Sequence, residues 1–452
     1  MAKKKLGPLA IYKFLPKINC KKCGEKTCMA FSSQLIEKKV KLSQCPHLKG
    51  DKLKELEELI SPPIKEIEWG TSIIGGDEVV HRHESTFFNE TSIIIDVHDE
   101  MEELELINRI EYVNDFAFER IGIILKLQGI SVRNKSGDVE KFKKCVEIVS
   151  KTCSASKNII LCSWNSDALK GALEIIGNRK PLIYAATKDN WGEIGKLAIQ
   201  YKCPVVAFAD NDMNELKSIV GVLIEMGVKD IIIDPGSSFV TDTYTNVRRS
   251  VVKGDEKILN CPILGIPMSI YIESDENAEL SEVLYASMMI AKYADMIIIR
   301  NMEMWALIPI LTMRQNIYTD PRKPVAVEPG LKVIGSPNKS SPVIMTTNFA
   351  LTYYTVASDL ESAKVDCYLL VIDTDGISVE AAVAGRQLSA PKVQKAIEDT
   401  ELENKVDNKA MIIPGLSARI SGELEDLSKW NVMIGPKDSS GLGKYIEEKC
   451  SA

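Results

Sequence analysis

The chain has 452 residues, 45% hydrophobic and 26% charged, which is ordinary globular composition with length enough for two or three domains. Its formal charge of −7 argues against nucleic acid or an anionic membrane surface as a partner. Eleven cysteines, an odd number, do not suit a disulfide framework and leave metal binding, redox chemistry or core packing to account for them.

Lys3, Lys4 and Lys5 read as a solvated tail, and no apolar leader precedes the first cysteine. Apolar runs such as Ile231–Ile233 and Met296–Ile299 are far too short to span a bilayer, so a cytoplasmic protein is expected. Residues 1–61 form a first domain around Cys20, Cys23, Cys28 and Cys45. Four thiolates satisfy either a [4Fe–4S] cube or a tetrahedral zinc. Three closely spaced ligands let one loop wrap three irons, and a helix from Met29 to Val40 brings in the fourth. Zinc sites usually pair two Cys-x-x-Cys hooks, and only one is present. Iron–sulfur is therefore preferred, with a zinc knuckle as the alternative. A segment this poor in large apolar residues needs a metal centre to fold. Cys145, Cys153, Cys162, Cys203, Cys261, Cys367 and Cys450 read mostly as small buried hydrophobes. A charged helix over Asp51–Ile60 is stopped by Pro62 and Pro63. Residues 62–91, with Gly75-Gly76 and little periodicity, read as a flexible linker.

From 92 to 320 strands and helices alternate. The strand candidates are Ile93–Val97, Ile121–Leu127, Asn158–Cys162, Leu182–Ala186, Val205–Phe208, Asp230–Ile233, Ile263–Ile270 and Met296–Ile299. Helical stretches such as Trp191–Tyr201, Asn214–Met226 and Leu280–Tyr293 lie between them. Near-continuous apolar strands separated by helices predict an α/β fold whose centre is a (β/α)8 TIM barrel; an open doubly wound sheet is the fallback. At the strand ends stand Asn165, Thr187, Asp210 and Asp234, the last in Asp234-Pro-Gly-Ser-Ser. Asp-Pro-Gly at a strand end also occurs in pterin-binding barrels, so a pterin-dependent methyltransferase is an available interpretation. Turn and cap roles account equally for these residue types and are preferred.

Residues 321–452 form a small Rossmann-like domain, bounded by Pro321 and Pro324. Strands are expected at Lys332–Ile334, Cys367–Ile372, Met411–Ile413 and Val432–Ile434, with helices near Phe349–Glu361, Val379–Arg386, Ala390–Thr400 and Leu442–Glu448. The four histidines, His47, His81, His83 and His98, all precede this domain. An imidazole-ligated metal or a Ser/His/Asp triad is hard to build in it.

Four stretches carry a resemblance: Tyr12 to Phe31 around the first three cysteines, Thr346-Thr-Asn-Phe-Ala-Leu-Thr-Tyr-Tyr, Asp373-Thr-Asp-Gly-Ile-Ser-Val and Ile434-Gly-Pro-Lys-Asp-Ser-Ser-Gly. Over essentially its full length the chain resembles the large (gamma) subunit of the corrinoid iron–sulfur protein of the CO dehydrogenase/acetyl-CoA synthase system. The resemblance implies an N-terminal [4Fe–4S] domain on Cys20, Cys23, Cys28 and Cys45, and a C-terminal domain holding a corrinoid. Thr346, Thr352, Thr374, Asp375, Gly376 and Ile377 would meet the corrinoid, with Ser440 and Gly441 near its periphery or nucleotide tail. It also implies cobalt without a protein lower ligand, consistent with the lack of any histidine beyond His98. The implied function is a methyl carrier that takes a methyl group from a methyl-tetrahydropterin on Co(I) and passes it to acetyl-CoA synthase, or the reverse. The cluster would reactivate Co(II), and the linker would let the cluster domain swing aside. The implied partners are a small (delta) subunit in a heterodimer, the methyltetrahydropterin methyltransferase and acetyl-CoA synthase/CO dehydrogenase. A pure iron–sulfur electron-transfer subunit is the remaining alternative.

Overall fold

The computed structural model describes residues 7–237, 240–267 and 277–450. The chain forms two compact units, one of residues 1–118 and 125–320, the other of residues 119–124 and 321–452.

The first unit opens with the cysteine module. Helices Pro8–Tyr12, Cys28–Ile36 and Asp51–Ile60 pack Ile11, Leu15, Phe31, Leu35, Leu48 and Leu56 against Cys28 and Cys45. Thr27 caps the second helix by accepting the Ala30 N–H at 3.0 Å.

The segment expected to be a linker is built into the barrel. Glu66–Trp69 and Ser72–Gly75 pair as an antiparallel hairpin, and Ile67, Trp69 and Ile74 pack with the residues filling the barrel interior. The Thr71 N–H donates to Asn158 Oδ1 at 3.1 Å, at the first residue of a barrel strand, so the hairpin closes the N-terminal end. Gly75 is packed, not free: a Cβ there would lie 2.2 Å from the Lys65 carbonyl oxygen. Beyond it Asp77 Oδ2 meets Arg248 Nη1 at 2.6 Å, both side chains almost fully buried. The Glu-Ile-Glu-Trp alternation is a strand signal, but two four-residue strands are too short for periodicity to single out.

The barrel strands are β1 (Ser92–His98), β2 (Gly129–Arg133), β3 (Asn158–Cys162), β4 (Leu182–Ala186), β5 (Val205–Phe208), β6 (Ile231–Asp234), β7 (Leu264–Gly265) and β8 (Met296–Ile299). All are parallel and neighbours in chain order, with β8 beside β1. A parallel bridge between Ile233 and Ile263 joins β6 to β7 and closes the ring. Ile93, Ile95 and Val97 face the helices, whereas Ile94 faces the interior with Ile160, Leu182, Val206 and Ile232. Burial on both faces is why these strands read as continuous apolar runs. One expectation needs correction. The second strand is β2, not Ile121–Leu127. That run instead supplies Ile123–Leu125 of a small hairpin with Phe118–Arg120. The last expected residues of the seventh strand, 268–270, lie outside the described residues.

The second unit is a five-stranded sheet of β9 (Gly330–Ile334), β10 (Val343–Thr347), β11 (Cys367–Ile372), β12 (Ala410–Ile413) and β13 (Asn431–Ile434). The order is β9-β11-β10-β12-β13, with β9 antiparallel and the rest parallel. The central strand β10 was not expected; its apolar run is only Val-Ile-Met before two threonines. Helices Ala350–Ser362 and Leu442–Cys450 cover one face, and Ala390–Asp399 and Ser421–Ser428 the other. The four parallel strands therefore run 2-1-3-4, a doubly wound order whose switch point lies between β10 and β12. Among the described residues no helix is long and apolar enough to cross a membrane.

Candidate functional site

Cys20, Cys23, Cys28 and Cys45 line one cavity together with Leu15, Pro16 and Phe31. The loop reaches it through left-handed residues Lys17, Asn19, Lys21 and Gly24, and Asn19 Oδ1 accepts the Cys28 N–H at 2.8 Å. Cys28 and Cys45 are buried while Cys20 and Cys23 are half-buried, so one side of the cavity faces solvent. The thiols stand around the cavity wall; among the described residues no three metal-ligating side chains are grouped as they would be for one ion. A four-thiol wall with apolar flanks has the donor set of an iron–sulfur cluster. The module is fastened to the hairpin region by Lys38. Its Nζ donates to the Gly76 carbonyl at 2.7 Å, lies 3.8 Å from Glu66 and 3.9 Å from Glu78, and sits 4.6 Å from the Phe88 ring centre.

In the second unit the expected ligand residues gather at the carboxyl edge of the sheet. Thr346 and Thr347 end β10, and their hydroxyls are buried without a hydrogen-bond partner. Asn348, which sequence reasoning did not single out, organises the next loop. Its Oδ1 accepts the Thr374 N–H at 2.9 Å and the Gly376 N–H at 3.0 Å, and its Nδ2 donates to Asp373 Oδ1 at 3.0 Å. Thr374 is fully buried and its hydroxyl donates to the Ile377 carbonyl at 2.7 Å, so it shapes the turn. Asp375 is exposed at a φ of +58°. Gly376 lies under a strap: a Cβ at its φ of +73° would fall 2.8 Å from Pro324 Cβ. The strap is held by the Val327 N–H to the Asn348 carbonyl and the Ala350 N–H to the Val325 carbonyl, both 2.9 Å. Thr352 is half-buried on the following helix.

Ser440 and Gly441 lie at the far end of this edge, after β13. The Ser440 N–H donates to Asp438 Oδ1 at 2.9 Å, and that contact holds the exposed Asp438 carboxyl below its usual range. The final helix is therefore started by the chain's own anion. Gly415 joins the β12 and β13 loops, its N–H donating to the Pro436 carbonyl at 3.0 Å. On the other side of the strap Val325 and Val327 line a cleft with Ile121, Lys332 and Tyr353.

At the mouth of the barrel the turn and cap roles prevail. Asn165 caps helix Ser166–Ile176 by accepting the Asp167 N–H at 2.9 Å. The Thr187 N–H donates to Asn190 Oδ1 at 2.7 Å in the turn before helix Trp191–Tyr201. Asp210 is exposed and accepts from Asn211 Nδ2 at 2.7 Å. Asp234 is 2% exposed; it accepts from Tyr184 OH and the Gly236 N–H, each at 2.9 Å, and burial pushes it up to about 6. Asp96, also buried, is raised by desolvation against the opposing pull of Arg133, whose Nη2 lies 2.8 Å away. Trp164 packs on Tyr184 and Phe208, with ring centres 5.5 and 5.2 Å apart. Both carboxyls are thus buried and hydrogen-bonded within the barrel.

Residues 15–47 match the family described as "Putative Fe-S cluster", and residues 68–446 match that described as CO dehydrogenase/acetyl-CoA synthase delta subunit. The acetyl-CoA decarbonylase/synthase complex subunit gamma of Methanothermobacter thermautotrophicus is 43% identical over 453 residues, covering 98% of each chain. Subunit gamma 2 of Methanosarcina thermophila is 44% identical over 463 residues, again with 98% of each chain covered. Among solved structures, dihydropteroate synthase of Yersinia pestis with a pterine-sulfa conjugate aligns with 50% of this chain and 94% of its own, at 9% identity and a TM-score of 0.37. The matched family's description says delta, whereas these two relatives are named gamma. With such identity along almost all of both chains, the protein belongs to the family of gamma subunits of the acetyl-CoA decarbonylase/synthase complex.

Proposed function

We propose that this chain is the large subunit of a corrinoid iron–sulfur protein and carries methyl groups within the CO dehydrogenase/acetyl-CoA synthase system. A corrinoid held at the carboxyl edge of the second unit would supply the cobalt that accepts a methyl group from a methyl-tetrahydropterin and yields it to acetyl-CoA synthase, or the reverse. The observation that carries this is the meeting of the β10 end and the 373–377 loop, with exposed Asp375, at the carboxyl edge of the sheet beside the switch point between β10 and β12. Doubly wound sheets bind ligands at that place, where a polar ligand can make hydrogen bonds to these two segments. The amide side chains of a corrin ring have the donors and acceptors to do so.

The residues divide the work. Asn348 holds the 373–377 loop in one conformation through two backbone N–H groups. Asp375, exposed on that loop, is free to meet the ring periphery. Gly376 admits the strap, and Ile377 continues the same wall. Ser440 and Gly441 reach the site from β13; Asp438 already occupies the helix start there, so they suit neutral ring amides better than a phosphate. No histidine follows His98, so a corrinoid at this edge would be held by hydroxyl, carboxyl and backbone groups rather than by an imidazole. Cys20, Cys23, Cys28 and Cys45 would hold a [4Fe–4S] cluster that returns oxidised cobalt to the reactive state. The partners this requires are a small (delta) subunit completing the corrinoid enclosure, a methyltetrahydropterin methyltransferase and acetyl-CoA synthase/CO dehydrogenase.

Metal analysis and absorbance spectroscopy on anaerobically purified protein, co-expressed with the small subunit, test this. The expected result is cobalt and iron at about one to four, with a corrinoid band that shifts on reduction. Iron without cobalt would leave an electron-transfer subunit, and zinc in place of iron would overturn the redox half.

A further inference from the structure

The cysteine module is charged quite unlike the rest of the protein. Residues 7–49 contain nine lysines and two glutamates, a net of +7 in a chain whose total is −7. Lys39 pairs with Glu37, Lys41 with Glu68, and Lys38 with Glu66 and Glu78. Lys13, Lys17, Lys21, Lys22 and Lys26 are all exposed and, among the described residues, none is paired with a carboxylate. Four of these five lie in the loop that carries Cys20 and Cys23, the two half-buried thiols, and Lys21 lines the cavity itself. Within the same loop Ile18 is 55% exposed. The loop that carries the two half-buried thiols thus presents unneutralised ammonium groups and one exposed apolar side chain to solvent.

We propose that this lysine-rich loop is the docking surface for a small acidic electron-transfer protein that reduces the cluster, an inference that rests on the iron–sulfur reading of the four cysteines. Transient redox complexes bury little area and form by steering, so a concentration of one charge with an exposed apolar residue suits a partner of the opposite charge. The half-buried thiols put the edge of the cavity on this face, where the electron path would be shortest. One electron passes from the reduced carrier to the cluster; the carrier is oxidised by one, the cluster reduced by one, and no proton or leaving group is involved. The lysines would also offset the negative charge of four thiolates, but that role alone requires no particular partner and no salt-dependent encounter.

The test follows reduction of the cluster by stopped-flow spectroscopy in the full chain with its cofactors, comparing wild type with K13Q/K17Q/K22Q/K26Q. One reductant is a purified acidic iron–sulfur carrier protein; the control is reduced methyl viologen, a small cation. Expected with the carrier is a wild-type second-order rate that falls about tenfold or more from low to high salt, and a variant that starts about tenfold lower and is nearly flat in salt. The viologen rate and the iron content should agree between the two proteins within about twofold, since steering acts only on the charged partner. Equal carrier rates, or an equal slowing with viologen, would overturn the docking surface while leaving the cluster in place. Tight binding of duplex DNA together with an unchanged carrier rate in the variant would assign the lysines to a polyanion instead, and absence of iron from the wild type would remove both readings at once.

Discussion

Asn348→Ala removes the acceptor that holds the 373–377 loop. The N–H groups of Thr374 and Gly376, donating at 2.9 and 3.0 Å in buried surroundings, would be left without partners. The Thr374 hydroxyl is spared because it already donates to Ile377. An unsatisfied buried donor costs about 1–3 kcal/mol, so the two together predict a loss of about 2–6 kcal/mol, together with reduced corrinoid retention. Asn348→Asp keeps the acceptor oxygens, but it buries a carboxyl and sets it against Asp373, so it too should be destabilising at neutral pH, and less so as the pH falls and the new carboxyl is protonated. Trp430 is buried in this unit and is its only tryptophan, so a full-length variant retaining only that tryptophan reports urea unfolding there. Cobalt content of the same samples reports the site. An alanine variant within about 0.5 kcal/mol of the parent would refute the assignment.

Replacing Cys45 with Ser should lower iron content and expose the module to protease, because its core is only eight buried residues; undiminished iron would remove Cys45 from the ligand set. Gly376→Ala should cost about 1–3 kcal/mol, measurable by the same urea assay, through a left-handed φ and a Cβ 2.8 Å from Pro324. Arg248→Met takes the cation away from buried Asp77 and Asp295 and should destabilise the barrel unit by about 3–5 kcal/mol in thermal or urea unfolding. Asp234 has a folded pKa of about 6 against an unfolded 3.8. Its stabilisation is complete below about pH 4 and is lost as the pH rises through 6. Stability curves of wild type and Asp234→Asn should therefore diverge over that window, the variant gaining about 3 kcal/mol by neutral pH; parallel curves would contradict the buried-carboxyl assignment.

Most barrel strands were legible because burial on both faces makes them uninterrupted apolar runs, as in Ile93–Val97 and Met296–Ile299. β2 escaped because its inward face carries Ser131 and Arg133, while Ile121–Leu127 nearby is more apolar and reads as the better strand. It is a hairpin, with Ile121 forced into a φ of +52° that no side-chain pattern announces. The hairpin closing the barrel reads as a linker in the sequence because its anchors, Thr71 to Asn158 and Asp77 to Arg248, are some 90 to 170 residues away in the chain. The four cysteines were legible because their grouping is mostly local. Asn348 was not, since its role exists only once the loop 25 to 28 residues later is folded against it.

The buried hairpin also sets how far the cysteine module could travel. Helix Asp51–Ile60 belongs to the module, and Ile64 is already buried and bonded through its N–H to Asp77. Only Ser61, Pro62 and Pro63 lie between, two of them stiffened by proline rings. Four virtual bonds from Ile60 to Ile64 give a leash of at most about 14 Å. Released from Lys38, the module could pivot about that leash but not migrate across the molecule. On the iron–sulfur proposal, an electron source would have to come to the module rather than the module to it.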